Sequence, residues 1–338
     1  MEQKRSAGRT VRFKKPPSVI SGACVVGKKE GEGPLAETFD IIENDSFFGE
    51  RTWERAESAM QRRALNAALE KAGLRGGDID FVFAGDLLNQ CIASSFGLRG
   101  SEIPFFGVYG ACATSAECLA LAAMSIDGGY AGRAAAVTSS HFCTAERQFR
   151  FPLEYGGLRT PTAQWTATGA GAMILSSDGG GPYITHMTCG KIVDMGVADA
   201  NNMGAAMAPA AYDTLCAYFD DTGSGPNNCD LIVTGDLGFV GSAILEDLFR
   251  RDGMDIKIRH RDCGLLIFSR EDQDVGAGGS GCGCGASVLA GYLLDGLRKG
   301  KWSSILYAAT GALLSTVSTQ QRESIPGICH ALRISSYI

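Results

Sequence analysis

A cysteine at the head of a buried helix is placed for chemistry, because unpaired N–H groups and the positive dipole end lower a thiol's pKa and attract anions. Gly110-Ala111-Cys112-Ala113-Thr114-Ser115-Ala116-Glu117-Cys118-Leu119-Ala120-Leu121-Ala122-Ala123-Met124 puts Cys112 there, with Glu117 as its single charge. The chemistry would be nucleophilic attack or capture of an anionic ligand; the plainer reading is a structural thiol. A second run, Gly278-Gly279-Ser280-Gly281-Cys282-Gly283-Cys284-Gly285-Ala286-Ser287, opens another nearly uncharged helix and adds Gly281, Cys282 and Cys284 as candidates. Asp86 and Asp236 each end an apolar strand, where α/β proteins place ligand groups, although each can equally cap the next helix. Ser140 and His141 end a further strand ahead of a polar, aromatic loop from Thr144 to Pro152, and such loops carry function more often than scaffolding. One histidine without a demonstrated partner can also be structural.

The elements that must position these groups occur twice. Ile79 to Leu87 matches Cys229 to Leu237; the two glycine–cysteine helices follow; then come small basic turns, Gly132-Arg133 and Gly300-Lys301, and apolar strands from Ala134 to Ser140 and from Ile305 to Gly311. Landmarks matched in one order are an internal duplication, and its length implies two copies of a half-domain. A helix without a polar side belongs between two layers, so the two core helices are expected to face each other. The turn cluster from Asp178 to Pro182 divides an N-terminal half, 1–178, from a C-terminal half, 179–338.

Between the landmarks, Ser18 to Val26 reads as the first strand and Gly27 to Pro34 as a charged glycine loop. Trp53 to Ala72 has helical apolar spacing, with Thr52 as its cap and Gly73 as its stop. Strands are expected from Thr166 to Leu175, Tyr183 to Thr188 and Cys263 to Phe268, a loop from Asn201 to Pro209 leading into a helix through Phe219, and a helix from Ala243 to Arg250. Lys4, Arg5, Arg9, Arg12, Lys14 and Lys15 make the first fifteen residues a basic arm, either solvated or drawn to an anionic membrane surface.

The 338 residues are 45% hydrophobic and carry a formal net charge of −6, so a large core is expected and no nucleic acid partner. Twelve cysteines without a signal peptide read as reduced thiols of the cytoplasm rather than a disulfide scaffold. Four histidines without zinc-ligand spacing argue against a metal, and no apolar run is long enough to be transmembrane.

The Glu70-Lys71-Ala72-Gly73-Leu74 to Asp78-Ile79-Asp80 step, Gly110-Ala111-Cys112, Gly169-Ala170-Gly171-Ala172 and the duplicated plan resemble the thiolase and ketoacyl synthase superfamily over essentially the whole chain. That resemblance implies an α/β, thiolase-like, five-layered α-β-α-β-α fold built from two similar halves with mixed sheets, in a homodimer. Longer strings, among them Lys29 to Leu35, Ala84 to Gln90, Thr138 to His141, Ala145 to Arg150 and Met207 to Ala211, resemble a family of sporulation proteins within it. This closer resemblance implies binding of dipicolinic acid (pyridine-2,6-dicarboxylate), or its calcium chelate, for uptake in sporulation and release in germination. It also implies a subunit on the forespore face of the spore inner membrane, working with membrane-embedded partners of the same operon.

Condensing enzymes pair their cysteine with a histidine and a second histidine or asparagine. Here the matching positions hold Gly235-Asp236 and Gly281-Cys282-Gly283-Cys284, and a carboxylate beside Cys112 raises the thiol's pKa and opposes an enolate. Ligand binding without catalysis is therefore expected, in a pocket lined by Asp86, Cys112, Ser140, His141, Asp236, Gly281, Cys282 and Cys284, with N–H donors from both helix starts and no resident cofactor. The alternatives are an acyltransferase or thioesterase forming a thioester at Cys112, or a scaffold whose pocket is vestigial.

Overall fold

The duplicated landmarks form strands that take the same places twice. A computed structural model describes residues 8–149 and 159–338. The first half supplies β1 (Thr10–Arg12), β2 (Ser18–Gly27), β3 (Ile41–Glu43), β4 (Phe81–Gly85), β5 (Phe105–Gly107), β6 (Arg133–Ser140), β7 (Trp165–Thr166) and β8 (Gly169–Ser176). The second supplies β9 (Tyr183–Thr188), β10 (Leu231–Thr234), β11 (His260–Asp262), β12 (Gly279–Ser280), β13 (Ser304–Ala312) and β14 (Gly327–Ser335). Hydrogen bonds order them β11-β10-β13-β14-β9-β2-β8-β6-β4-β5, with β1 on β9 and β3 on β2. Outward from the centre, β2-β8-β6-β4-β5 and β9-β14-β13-β10-β11 are one arrangement repeated, and in each the second strand is antiparallel to both neighbours. These two five-stranded sheets adjoin where β2 meets β9 through a single pair, Ser18 opposite Tyr183, while β1 of the first half runs along β9 and β7 pairs with β12.

The helices are α1 (Lys28–Gly31), α2 (Trp53–Ala72), α3 (Ile92–Leu98), α4 (Thr114–Asp127), α5 (Phe142–Phe149), α6 (Met203–Thr222), α7 (Gly238–Arg251) and α8 (Cys263–Leu266). Then come α9 (Cys282–Val288), which widens through Leu289–Leu293 into α10 (Leu294–Arg298), and α11 (Thr316–Gln320). Outside the first sheet lies α2, against β2, β8 and β6, with α3 beside it; outside the second lies α6, against β14 and β13, with α7 beside it. Between the sheets, α4 packs on β4 and β6 on one side and β13 and β14 on the other, while α9 packs on β8 and β6. This is the five-layered thiolase-like arrangement. Strands covered on both faces need apolar residues on both: Ala134 and Ala136 of β6 join the inner core with Leu119 and Ala122, and Ala135 and Val137 join the outer core with Met60 and Ala64. Gly283 lets α9 seat against the ends of β6 and β8, since a Cβ there would lie 2.1 Å from the Gly169 carbonyl oxygen and 2.6 Å from the Ser140 nitrogen.

Several expectations are corrected. The loop expected from Thr144 is largely α5, held by Phe142 stacked on Trp165 and by Gln148 bonding the Leu87 carbonyl and the Asn89 amide; contacts distant in sequence override a weak local pattern. Arg150 to Pro152 of that stretch fall outside the described residues. Cys263 to Phe268 is helical at α8 rather than a strand, as a short apolar run without period permits. The loop from Gly27 contains the turn α1, whose Glu30 points inward to accept the Thr168 amide at 2.9 Å. The loop expected from Asn201 ends at Met203, where α6 begins with Asn202 as its cap. The basic arm is part strand: β1 pairs with β9, and Arg9 bonds Asp213 at 2.7 Å. Helix α4 is not enclosed on every side, since Leu121 and Met124 are 37% and 46% exposed.

Candidate functional site

Cys112 is held on a strained turn. Ala111 adopts φ +52°, a left-handed conformation costing an L-residue roughly 1–2 kcal/mol, and Thr114 locks it by donating to the Ala111 carbonyl at 2.6 Å while accepting the Gly110 amide at 3.0 Å. The first residue of α4 is Thr114, so Cys112 lies just ahead of the helix rather than within its first turn. A device of this kind aims one side chain at the cost of local strain.

The Cys112 sulfur lies 3.9 Å from the Ser280 hydroxyl, which leads to Asp236. Following β10 and 1% exposed, this carboxylate accepts the Thr310 hydroxyl at 2.8 Å, the Gly281 amide at 2.9 Å and the Ser280 hydroxyl at 3.3 Å. Burial pushes Asp236 up to about 6, against the pull of the donors around it. Burial, then the Asp236 charge, pushes the Cys112 thiol well above its ordinary value. The arrangement is a protonated thiol beside a buried carboxylate, the reverse of the thiolate–imidazolium pair that a nucleophile needs.

Beside Cys112 is a cavity of about 230 Å³, smaller than the ~300–1,000 Å³ of drug-sized sites. Leu87, Ala145 and Phe149 form an apolar wall, and Tyr109, Gln164 and Ser280 contribute polar edges. Among the described lining residues Glu146 alone carries a formal charge, and Arg159 pairs with it. Gln164 is 4% exposed; its amide nitrogen donates to the Asp236 and Gly279 carbonyls at 2.7 and 2.8 Å, which settles the orientation of the amide and leaves Oε1 buried without a partner among the described residues.

Of the residues singled out from sequence, Cys112, Asp236 and Gly281 come together, and Cys282 joins Cys112 in one apolar cluster while donating its thiol to the Ser139 carbonyl at 2.9 Å. The others are elsewhere. Asp86 is turned inward to accept the Leu88 and Ser94 amides at 2.9 and 2.8 Å, a helix-capping role at α3. Ser140 donates to the Ala167 carbonyl at 2.7 Å and accepts the Gly283 amide, tying β6 to α9. His141 donates from Nε2 to the Ser46 carbonyl at 2.8 Å and accepts the Cys143 amide at Nδ1; burial lowers its pKa, so it is neutral and its tautomer is determined. Cys284 is wholly buried. The expected N–H donors at the start of α9 are also taken, Gly281 by Asp236 and Gly283 by Ser140. Residues that sequence reasoning missed are Gln164, Ser280 and Thr310; Ser280 and Thr310 lie inside matched landmarks but were not singled out, no motif marks Gln164, and only the meeting of β7, β12 and β13 makes the three neighbours.

Beneath Asp86 is a second buried carboxyl, Glu57 of α2, accepting the Ser139 hydroxyl at 2.9 Å and the Thr144 hydroxyl at 2.7 Å. Burial, then the charge of Asp86, pushes Glu57 up to about 8, and burial likewise raises Asp86. Gln61 completes the network by donating to the Gly85 carbonyl and to Ser94 and Ser139.

Two facing core helices between two sheets, with a cysteine on the turn before one of them, define a thiolase-like protein, and solved structures agree. An OleA variant from Xanthomonas campestris superposes with a TM-score of 0.62 at 16% identity, covering 96% of this chain and 99% of that one. The 3-oxoacyl-[acyl-carrier-protein] synthase III of Aquifex aeolicus VF5 gives 0.55 at 12% identity, covering 94% and 99%. Within that fold the chain belongs to the stage V sporulation protein AD family (SpoVAD), whose profile matches residues 7–335. The stage V sporulation protein AD of Bacillus subtilis (strain 168) is 45% identical over 329 residues, 97% of each chain.

Proposed function

We propose that this sporulation protein binds dipicolinic acid, alone or as its calcium chelate, in the Cys112 cavity, as the non-catalytic subunit of the spore's dipicolinate uptake and release system. The observation that carries the reading is the buried Asp236 carboxylate, which shares the Ser280 hydroxyl with Cys112 and opposes a thiolate there, leaving a preformed small cavity with polar edges but no activated nucleophile. Asp236 adds a sign: above about 6 it is ionised and repels a dianion, so affinity rises as pH falls through that value.

Calorimetric titration of dipicolinate tests this. Saturable binding is expected, tighter below pH about 6, weakened by Cys112→Ala and unchanged by Asp86→Asn; binding indifferent to Cys112→Ala would remove the cavity from the reading.

The partners belong to the same proposal. Among the described residues no helix is long and apolar enough to cross a membrane, so attachment to the spore inner membrane would run through the membrane-embedded SpoVA subunits. A homodimer is supported by β5, the last strand on its side of the sheet, whose Phe105 and Phe106 are 39% and 50% exposed, together with Leu121 and Met124 on α4; apolar surface of this kind marks an interface. A monomeric mass by light scattering on the calorimetry sample would withdraw that part.

A further inference from the structure

On the outer side of the second sheet three cationic or ionisable side chains stand in one row. Strand register places Arg12 of β1 directly opposite His186 of β9, and His186 directly opposite Arg333 of β14. The two guanidinium charges repel each other across an imidazole that stays neutral, and neither arginine has an acidic partner among the described residues. The row lines a groove of about 880 Å³, within the ~300–1,000 Å³ of small-molecule sites. Thr10 and Thr185 contribute hydroxyls, Phe13 and Tyr337 contribute rings, and Arg333 Nε is buried without a partner among the described residues.

We propose that this groove is a second ligand site, taking a phosphate-bearing anion whose oxygens are held by Arg12 and Arg333 on either side of His186. The strands are ~4.8 Å apart, so the outer two backbones are roughly 10 Å apart and both guanidinium groups reach one short phosphate chain. Guanidinium forks match phosphate oxygens bidentately, which favours phosphate over a single carboxylate. The ligand also relieves the repulsion within the row. His186 reports on it: burial, then the Arg333 and Arg12 charges, holds the imidazole down at about 4, and a bound anion cancels those charges and draws the pKa upward. The other groups facing His186 are Lys14, Asp221 and Tyr218; Asp221 is already engaged by the Thr10 amide at 2.7 Å, and the Tyr218 ring meets the imidazole edge-on.

The test has two arms, inorganic pyrophosphate titrated by calorimetry and flotation with vesicles of phosphatidylglycerol and phosphatidylcholine in equal parts. Saturable, salt-sensitive binding is expected in at least one arm; pyrophosphate alone identifies a free phosphate ligand, and vesicles alone a lipid headgroup. Arg12→Gln, an exposed change that spares the fold, and Arg333→Gln should each weaken binding about tenfold or more. The His186 imidazole, followed by NMR, should titrate higher with ligand present, while dipicolinate affinity stays unchanged. Absence of binding in both arms, or binding that survives both substitutions, would overturn the proposal.

Discussion

Asp236→Asn should make Cys112 alkylate with iodoacetamide about tenfold faster or more at mildly alkaline pH, read as adduct formation by mass spectrometry. In the native chain the buried Asp236 carboxylate opposes a second negative charge beside it. Asparagine keeps the shape and removes the charge, and each pKa unit by which the thiol falls is tenfold in thiolate. The Thr310 hydroxyl can still donate to the amide oxygen, but the Gly281 amide then faces an NH₂ group, so a stability loss of about 1–3 kcal/mol accompanies the gain in reactivity. Equal alkylation rates in the two proteins would mean that burial alone silences Cys112. Native protein exposed to acyl-coenzyme A should leave Cys112 unmodified; a thioester there would favour the acyltransferase or thioesterase alternative.

Glu57→Gln should leave stability nearly unchanged in acid and raise it in alkali by on the order of 4 kcal/mol, measured by urea unfolding across pH. Glu57 is held at about 8, above its ordinary 4.5, so the folded chain binds this proton more tightly than the unfolded chain. Its contribution is full below about 4.5, declines as pH rises, and is lost above about 8. Glutamine has no proton to lose and keeps an acceptor for Ser139, while the Thr144 hydroxyl can turn to accept. Stability curves that run parallel across pH would show that Glu57 does not titrate between the two values.

The paired core helices and the strands that flank them were legible because duplication repeats a pattern: β4 and β10, α4 and α9, and β6 and β13 are the matched landmarks. Helix α2 was legible to the residue because Thr52 and Gly73 punctuate it. The site was less so. Asp86 and Asp236 have the same local sequence context, yet one caps α3 and the other meets Cys112, because the segments after β4 and β10 differ in ways a strand-end aspartate does not encode. His141 looked like a ligand group until Ser46, distant in the chain, took its proton. Gln164 left no trace, since its role comes from two carbonyls on separate segments. Exposed Leu121 and Met124 likewise escaped an argument from composition, which sees an apolar helix but not which side a neighbour covers.

The most direct test of the binding account is a crystal of the protein grown with dipicolinate. The account predicts a planar diacid in the cavity between Cys112, Gln164 and Ser280, with no bond to the Cys112 sulfur. Dipicolinate bound elsewhere while that cavity holds only water, or density continuous from the sulfur to a ligand, would contradict it.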